Sequence, residues 1–120
     1  NKLTGIELIN KAVWNEETTL NFFSEGADGG RIQSETDTQQ IVKVDTVRLK
    51  NYLNKGKVDF LKIDIEGAET TVLEDCKDEL KNVQHLFVEY HSFVNQPQTL
   101  HQILSIMTYA GFRYYIQTVG

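Results

Sequence analysis

The chain has 120 residues, 40% hydrophobic and 24% charged, with a formal net charge of -5, which bounds it to one domain with one core and an ordinary soluble composition. The acidic balance and the lack of any Lys/Arg run argue against a nucleic-acid partner, whose footprint is a basic patch. The single cysteine, Cys76, excludes an intrachain disulfide, and neither a membrane-length apolar run of about 20 residues nor a signal-peptide pattern is read in the sequence.

Cys76 falls among apolar helical positions, which reads as a buried thiol in a reducing, cytoplasmic compartment. Residue 1 is Asn, so the natural protein need not begin there.

Ile6 to Trp14 reads as a strand, with Ile6, Leu8 and Asn10 on one face and Ala12-Val13-Trp14 apolar on both. Thr18 to Phe23 reads as a second strand. Ser24 to Gln40 is polar and aperiodic, with Gly26, Gly29 and Gly30 close together, and reads as a loop of a length that is more often functional or mobile than idle. Ile41 to Val47 alternates as a half-exposed strand. Val47, Leu49, Tyr52 and Leu53 then predict a short helix closed by Gly56.

Val58 to Ile65 is an apolar strand in which Phe60, Leu61, Ile63 and Ile65 predict burial, punctuated by Gly67. Ala68 to Lys81 carries Val72, Leu73, Cys76 and Leu80 at helical spacing, with acidic Glu69 in the first turn. Leu86 to Tyr90 is another short strand. Pro97 suits the first position of a helix whose buried stripe is Leu100, Ile103, Leu104 and Met107, closed by Gly111. Phe112, Tyr114 and Ile116 alternate with Arg113, Tyr115 and Gln117 as a last strand. Strand, helix, strand, helix, strand is the pattern of βαβ units around a parallel sheet, and an α/β fold is expected.

Chemistry concentrates at the carboxyl ends of two strands, where open parallel sheets bind ligands. Asp64, Glu66 and Glu69 could hold a divalent cation, supply a general base, or accept hydrogen bonds from a ligand's hydroxyls. The plainer alternative is that Glu66 and Glu69 decorate a helix N-terminus and only Asp64 faces the crevice. His91 follows the next strand and is placed to act as base or ligand, or is a surface loop histidine. Glu89 shares its face, and an ion pair with Lys62 across neighbouring strands is expected as architecture. Gly26-Ala27-Asp28-Gly29-Gly30-Arg31 is either a ligand-facing loop or a flexible turn. No phosphate-cradling glycine motif, no serine nucleophile elbow and no zinc-type spacing of His85, His91 and His101 occurs.

Leu61-Lys62-Ile63-Asp64-Ile65-Glu66-Gly67-Ala68-Glu69, followed by Val72-Leu73 and Leu86-Phe87-Val88-Glu89-Tyr90-His91, resembles the hallmark block of the FkbM family of S-adenosylmethionine-dependent methyltransferases. Asn10-Lys11-Ala12-Val13-Trp14 and the strand leading to Val47-Arg48-Leu49 fit the same order, so the likeness runs from about Ile6 to about Ile116. It implies a Rossmann-like methyltransferase sheet and methyl transfer to a hydroxyl of a sugar or other small metabolite. By the resemblance Asp64 and His91 are the catalytic candidates and Ala12 and Val13 lie where adenine packs; Glu66 and Glu69 are the substrate-binding candidates, and Asp64 or Glu66 would position the acceptor, directly as the favoured reading or through a divalent metal. The family's first strand with its glycine-rich turn, and its second with the ribose-binding acid, would precede Ile6. Residues 1–120 are therefore expected to be the C-terminal part of one such domain, an incomplete sheet that alone binds the cofactor weakly and is inactive.

Two other readings stand beside this one: a metal-dependent hydrolase using Asp64, Glu66 and Glu69, and a non-catalytic module self-associating through an exposed sheet edge. A small hydroxylated molecule, rather than nucleic acid or a membrane, is the expected partner.

Overall fold

A computed structural model describes residues 5–23 and 41–118; the expected loop over Ser24 to Gln40, with its glycine-rich run, lies outside them. Short β-branched and aromatic runs form two sheets. In the first, β1 (Ala12–Trp14) runs parallel to β3 (Ile41–Arg48), with Ala12 opposite Thr46, and β2 (Thr19–Phe23) runs antiparallel on the other side, with Thr19 opposite Asp45. The second pairs β4 (Val58–Ile63) in parallel with β5 (Val83–Val88), from Val58 opposite Val83 to Ile63 opposite Val88. A parallel pair needs a long crossover. Here it is α2 (Glu69–Asp75) followed by a 3-10 helix over Lys77–Asn82. The chain is thus an α/β protein with one mixed and one parallel sheet, completed by α1 (Lys50–Leu53) and α3 (Leu100–Ala110).

The core lies where these helices cover one face of β4 and β5. Leu53, Ile63, Leu73, Cys76, Leu80, Val83, Ile103, Ile106 and Met107 are buried together. Burial pushes the Cys76 thiol up to about 12, so it behaves as a small apolar side chain. A two-point ion pair ties the first sheet to the crossover: Arg48 on β3 donates from Nη2 to Oδ1 of Asp75, the last residue of α2, at 2.7 Å and from Nε to Oδ2 at 3.1 Å. Among the described residues no helix is long and apolar enough to cross a membrane.

Several expectations are corrected. The expected strand over Ile6 to Trp14 shrinks to Ala12–Trp14, because Leu8 is 91% exposed and the residues before Ala12 pair with no described strand. β4 stops at Ile63, since Glu89 N–H to Ile63 O at 2.9 Å is the last rung before the chain turns. Phe60 is exposed rather than buried, because the helices pack on the opposite face of β4. The long helix breaks at Cys76, where φ -110° and ψ 17° leave the α region, and the following 3-10 turns keep Leu80 in the core. Leu100, not Pro97, opens α3, because the Tyr90 hydroxyl accepts from Thr99 N–H at 2.8 Å and fixes the start there.

Gly111 does close α3. Its φ of +90° carries a Schellman turn, Gly111 N–H to Thr108 O at 3.1 Å and Phe112 N–H to Met107 O at 2.9 Å, with Phe112 packed on the core. Beyond it the alternating residues make no strand, and Tyr114, Tyr115 and Ile116 are exposed. The Lys62–Glu89 pair is also absent. The register sets Lys62 beside Phe87, over whose ring its ammonium lies at 5.8 Å, and Glu89 turns toward His91.

Truncating Leu73, fully buried, to alanine is expected to destabilise the fold by about 2–5 kcal/mol. Leu8→Ala is expected to change it by less than about 0.5 kcal/mol. Urea unfolding followed by circular dichroism measures both.

Candidate active site

The carboxyl ends of β4 and β5 lie side by side, so Asp64 and Glu89 leave the last rung as neighbours and His91 follows two residues later on the same face. Between Ile65 and Ala68 the chain reverses in a turn closed by Ala68 N–H to Ile65 O at 3.4 Å. Glu66 and Gly67 both have positive φ, 56° and 107°. That is ordinary for glycine but costs a side-chain-bearing residue of order 1–3 kcal/mol. Gly67 is doubly constrained, because a Cβ there would fall 2.9 Å from Phe93 Cε2.

One side chain holds this turn. Glu69, at the start of α2, is 1% exposed and reaches back under the turn. Its Oε2 accepts from Ile65 N–H at 3.1 Å, and both oxygens accept from Gly67 N–H at 3.1 and 3.2 Å. Oε2 also meets His91 Nδ1 at 2.8 Å. An ionised carboxylate only accepts, so Nδ1 carries the proton and Nε2 is left at the open edge. Burial works against ionising Glu69, but the bonds from Gly67, His91 and Ile65 outweigh it and hold the carboxyl below its usual range. The His91 ring is raised above its usual value, chiefly by the bond to Glu69 and further by the charges of Glu69, Glu66 and Asp64, against its partial burial.

Three carboxylates face Nε2: Asp64 Oδ1 at 3.5 Å, Glu89 Oε2 at 3.5 Å and Glu66 Oε2 at 3.6 Å. These separations exceed a well-formed hydrogen bond, so Nε2 is surrounded without being bound. Asp64 and Glu89 are about one-third exposed, at 37% and 35%, and Glu66 stands out at 79%. Donor atoms of Asp64, Glu89 and His91 all lie within 4.8 Å of one another, a set of oxygen and imidazole ligands that could hold a metal ion. Phe93 stacks beyond the imidazole, with ring centroids 6.3 Å apart and planes at 13°.

The structure therefore brings Asp64, Glu66, Glu69 and His91 together. Glu69 is not at the open face: its oxygens are occupied and buried, so the expected contact with a substrate gives way to a hold on His91, and a hydrolase trio of Asp64, Glu66 and Glu69 loses its third member. Ala12 and Val13 are half-buried on β1, in the other sheet. His85 and His101 are exposed elsewhere. Sequence reasoning gave Glu89 only a structural pairing and overlooked Phe93; the i, i+2, i+4 spacing of Glu89, His91 and Phe93 was the available signal.

The sequence matches the family described as Methyltransferase FkbM domain over residues 2–114. No curated protein and no solved structure matches it. The chain belongs to the FkbM methyltransferase family, and the cluster at the ends of β4 and β5 is its candidate active site.

The His91 resonance is expected to titrate above about 6.5, the ordinary histidine value, and Glu69→Gln to lower that midpoint, as followed by proton–carbon NMR. The same pair shapes stability. Glu69, held low, contributes fully above its unfolded value of about 4.3 and loses its contribution as pH falls through the folded one. His91, held high, contributes fully below about 6.5 and loses its contribution as pH rises through the raised value. The pair's stabilisation is thus expected to be greatest between about pH 4.3 and 6.5 and absent in Glu69→Gln, as measured by unfolding across pH.

Proposed function

We propose that this domain transfers a methyl group from S-adenosylmethionine to a hydroxyl oxygen of a sugar or another small hydroxylated metabolite. The observation that carries the reading is the free Nε2 of His91, fixed from behind by a buried carboxylate and faced by three others, in a chain of a methyltransferase family. The donor supplies a methyl group made electrophilic by a sulfonium charge. An acidic rim suits a cationic donor, and the small apolar residues Ala12 and Val13 suit the flat face of adenine.

In this reading Nε2 takes the acceptor's hydroxyl proton as the oxygen becomes nucleophilic. Glu69 sets the tautomer that leaves Nε2 able to accept, and stabilises the imidazolium that forms. Asp64 accepts a hydrogen bond from the reacting hydroxyl and fixes its direction, and Glu66 on the rim accepts from the substrate's other hydroxyls. The two sheets are read as the C-terminal part of a Rossmann-like domain. The parallel β4 and β5 with their helical crossover support that. The one free cysteine supports action in the cytoplasm.

A second reading of the same residues is favoured by the proximity of the Asp64, Glu89 and His91 donor atoms. Those three would hold a divalent cation that orients the acceptor oxygen, with Glu69 bracing the imidazole ligand. Millimolar Mg2+ or Mn2+ that raises the unfolding temperature of the wild type and not of Asp64→Asn supports the cation; no shift supports direct positioning.

His91→Gln is expected to lower kcat by roughly 100- to 10,000-fold while leaving S-adenosylhomocysteine binding intact. Transfer of labelled methyl to hydroxylated acceptors, with calorimetric titration of S-adenosylhomocysteine, tests it in the full natural protein. Absence of donor binding there overturns the methyltransferase reading.

A further inference from the structure

Phe93 is 48% exposed, and its neighbour Val94 is 87% exposed, so burial in the core does not account for an aromatic ring at this position. Two neighbours of its ring belong to the site. Its ring lies nearly parallel to the His91 imidazole, at 13° with centroids 6.3 Å apart, within the range of offset aromatic pairs. Its edge lies against Gly67, where an added Cβ would meet Cε2 at 2.9 Å and Cδ2 and Cζ at 3.7 and 3.8 Å. One side chain from the segment after β5 therefore lies beside both the imidazole and the turn after β4.

A hydrogen bond at Nδ1 alone leaves the imidazole free to tilt about that bond. A ring seated on the turn and alongside the imidazole limits that tilt, because moving His91 outward would require Phe93 to leave Gly67. We infer that Phe93 is a positioning residue that, with Glu69, keeps His91 Nε2 aimed at the carboxylate rim. The absence of a Cβ at residue 67 is part of the same device, since it makes the seat for the ring. This inference rests on the proposed role of Nε2 as the acting atom.

The test needs neither donor nor acceptor. In protein labelled with nitrogen-15 at histidine and held above the His91 titration, the wild type is expected to show a single Nδ1–H tautomer. Phe93→Ala is expected to mix in the Nε2–H form, with at least a several-fold fall in the tautomer ratio and an unchanged unfolding midpoint. Phe93→Tyr is expected to restore the wild-type spectrum, and Gly67→Ala, which unseats the ring, to resemble Phe93→Ala. If Phe93→Ala does not fold, Phe93→Leu, which keeps an apolar contact but no ring, takes its place with the same expectation. An unaltered His91 tautomer in whichever of these folds overturns the inference, as does failure of Phe93→Tyr to restore it. Because no methyl transfer is read, failure here leaves the methyltransferase reading standing, and failure of that reading leaves this result intact.

Discussion

The site depends on one carboxylate, Glu69, that is buried to 1% exposure. Glu69 is drawn under the β4 turn by Ile65 and Gly67 N–H groups that would otherwise be left without partners, and an unsatisfied buried donor costs about 1–3 kcal/mol. Having been placed there to close the backbone, the same carboxylate is in reach of Nδ1 of a histidine from the segment that follows the neighbouring strand. Local folding and chemical preparation are thus one interaction. The left-handed conformation of Glu66, unfavourable by itself, persists because the carboxylate beneath over-determines the turn.

That arrangement gives the five polar residues different tasks. Glu69 is buried and ionised and acts through His91. Asp64 and Glu89 are about one-third exposed and frame the space beside Nε2, and Glu66, with its positive φ, stands furthest out. The imidazole is therefore anchored through a protonated Nδ1 on one side and carries its unprotonated, open Nε2 on the other, which is the asymmetry a proton acceptor requires. The helical crossover between β4 and β5 supplies the rigidity: Leu73 and Leu80 are fully buried beneath it, so the two strand ends cannot drift apart without opening the core.

Much of this was legible in the sequence, and the failures have physical causes. The second half of the chain was readable because Gly67 and Gly111 punctuate it and Val72, Leu73, Cys76 and Leu80 keep a helical period. Alternation over Ile6 to Asn10 and over Phe112 to Gln117 misled, because period two describes a side-chain pattern while a strand also needs a partner. The break at Cys76 carries no glycine or proline to announce it. Asp64 and His91 were placed correctly at strand ends by order alone. Spacing could not say that Glu69 folds back rather than out, nor that the register sets Lys62 against Phe87 and leaves Glu89 for His91, since both depend on contacts between segments about twenty residues apart.

The central proposal is that Glu69, through its bond to Nδ1, leaves Nε2 of His91 free to accept the substrate's proton. The most direct measurement is the pH dependence of kcat for methyl transfer by the full natural protein, wild type against Glu69→Gln. An acid limb set by the raised His91 value, moving to lower pH and with reduced maximal rate in the variant, is the result predicted. Superimposable limbs would contradict it.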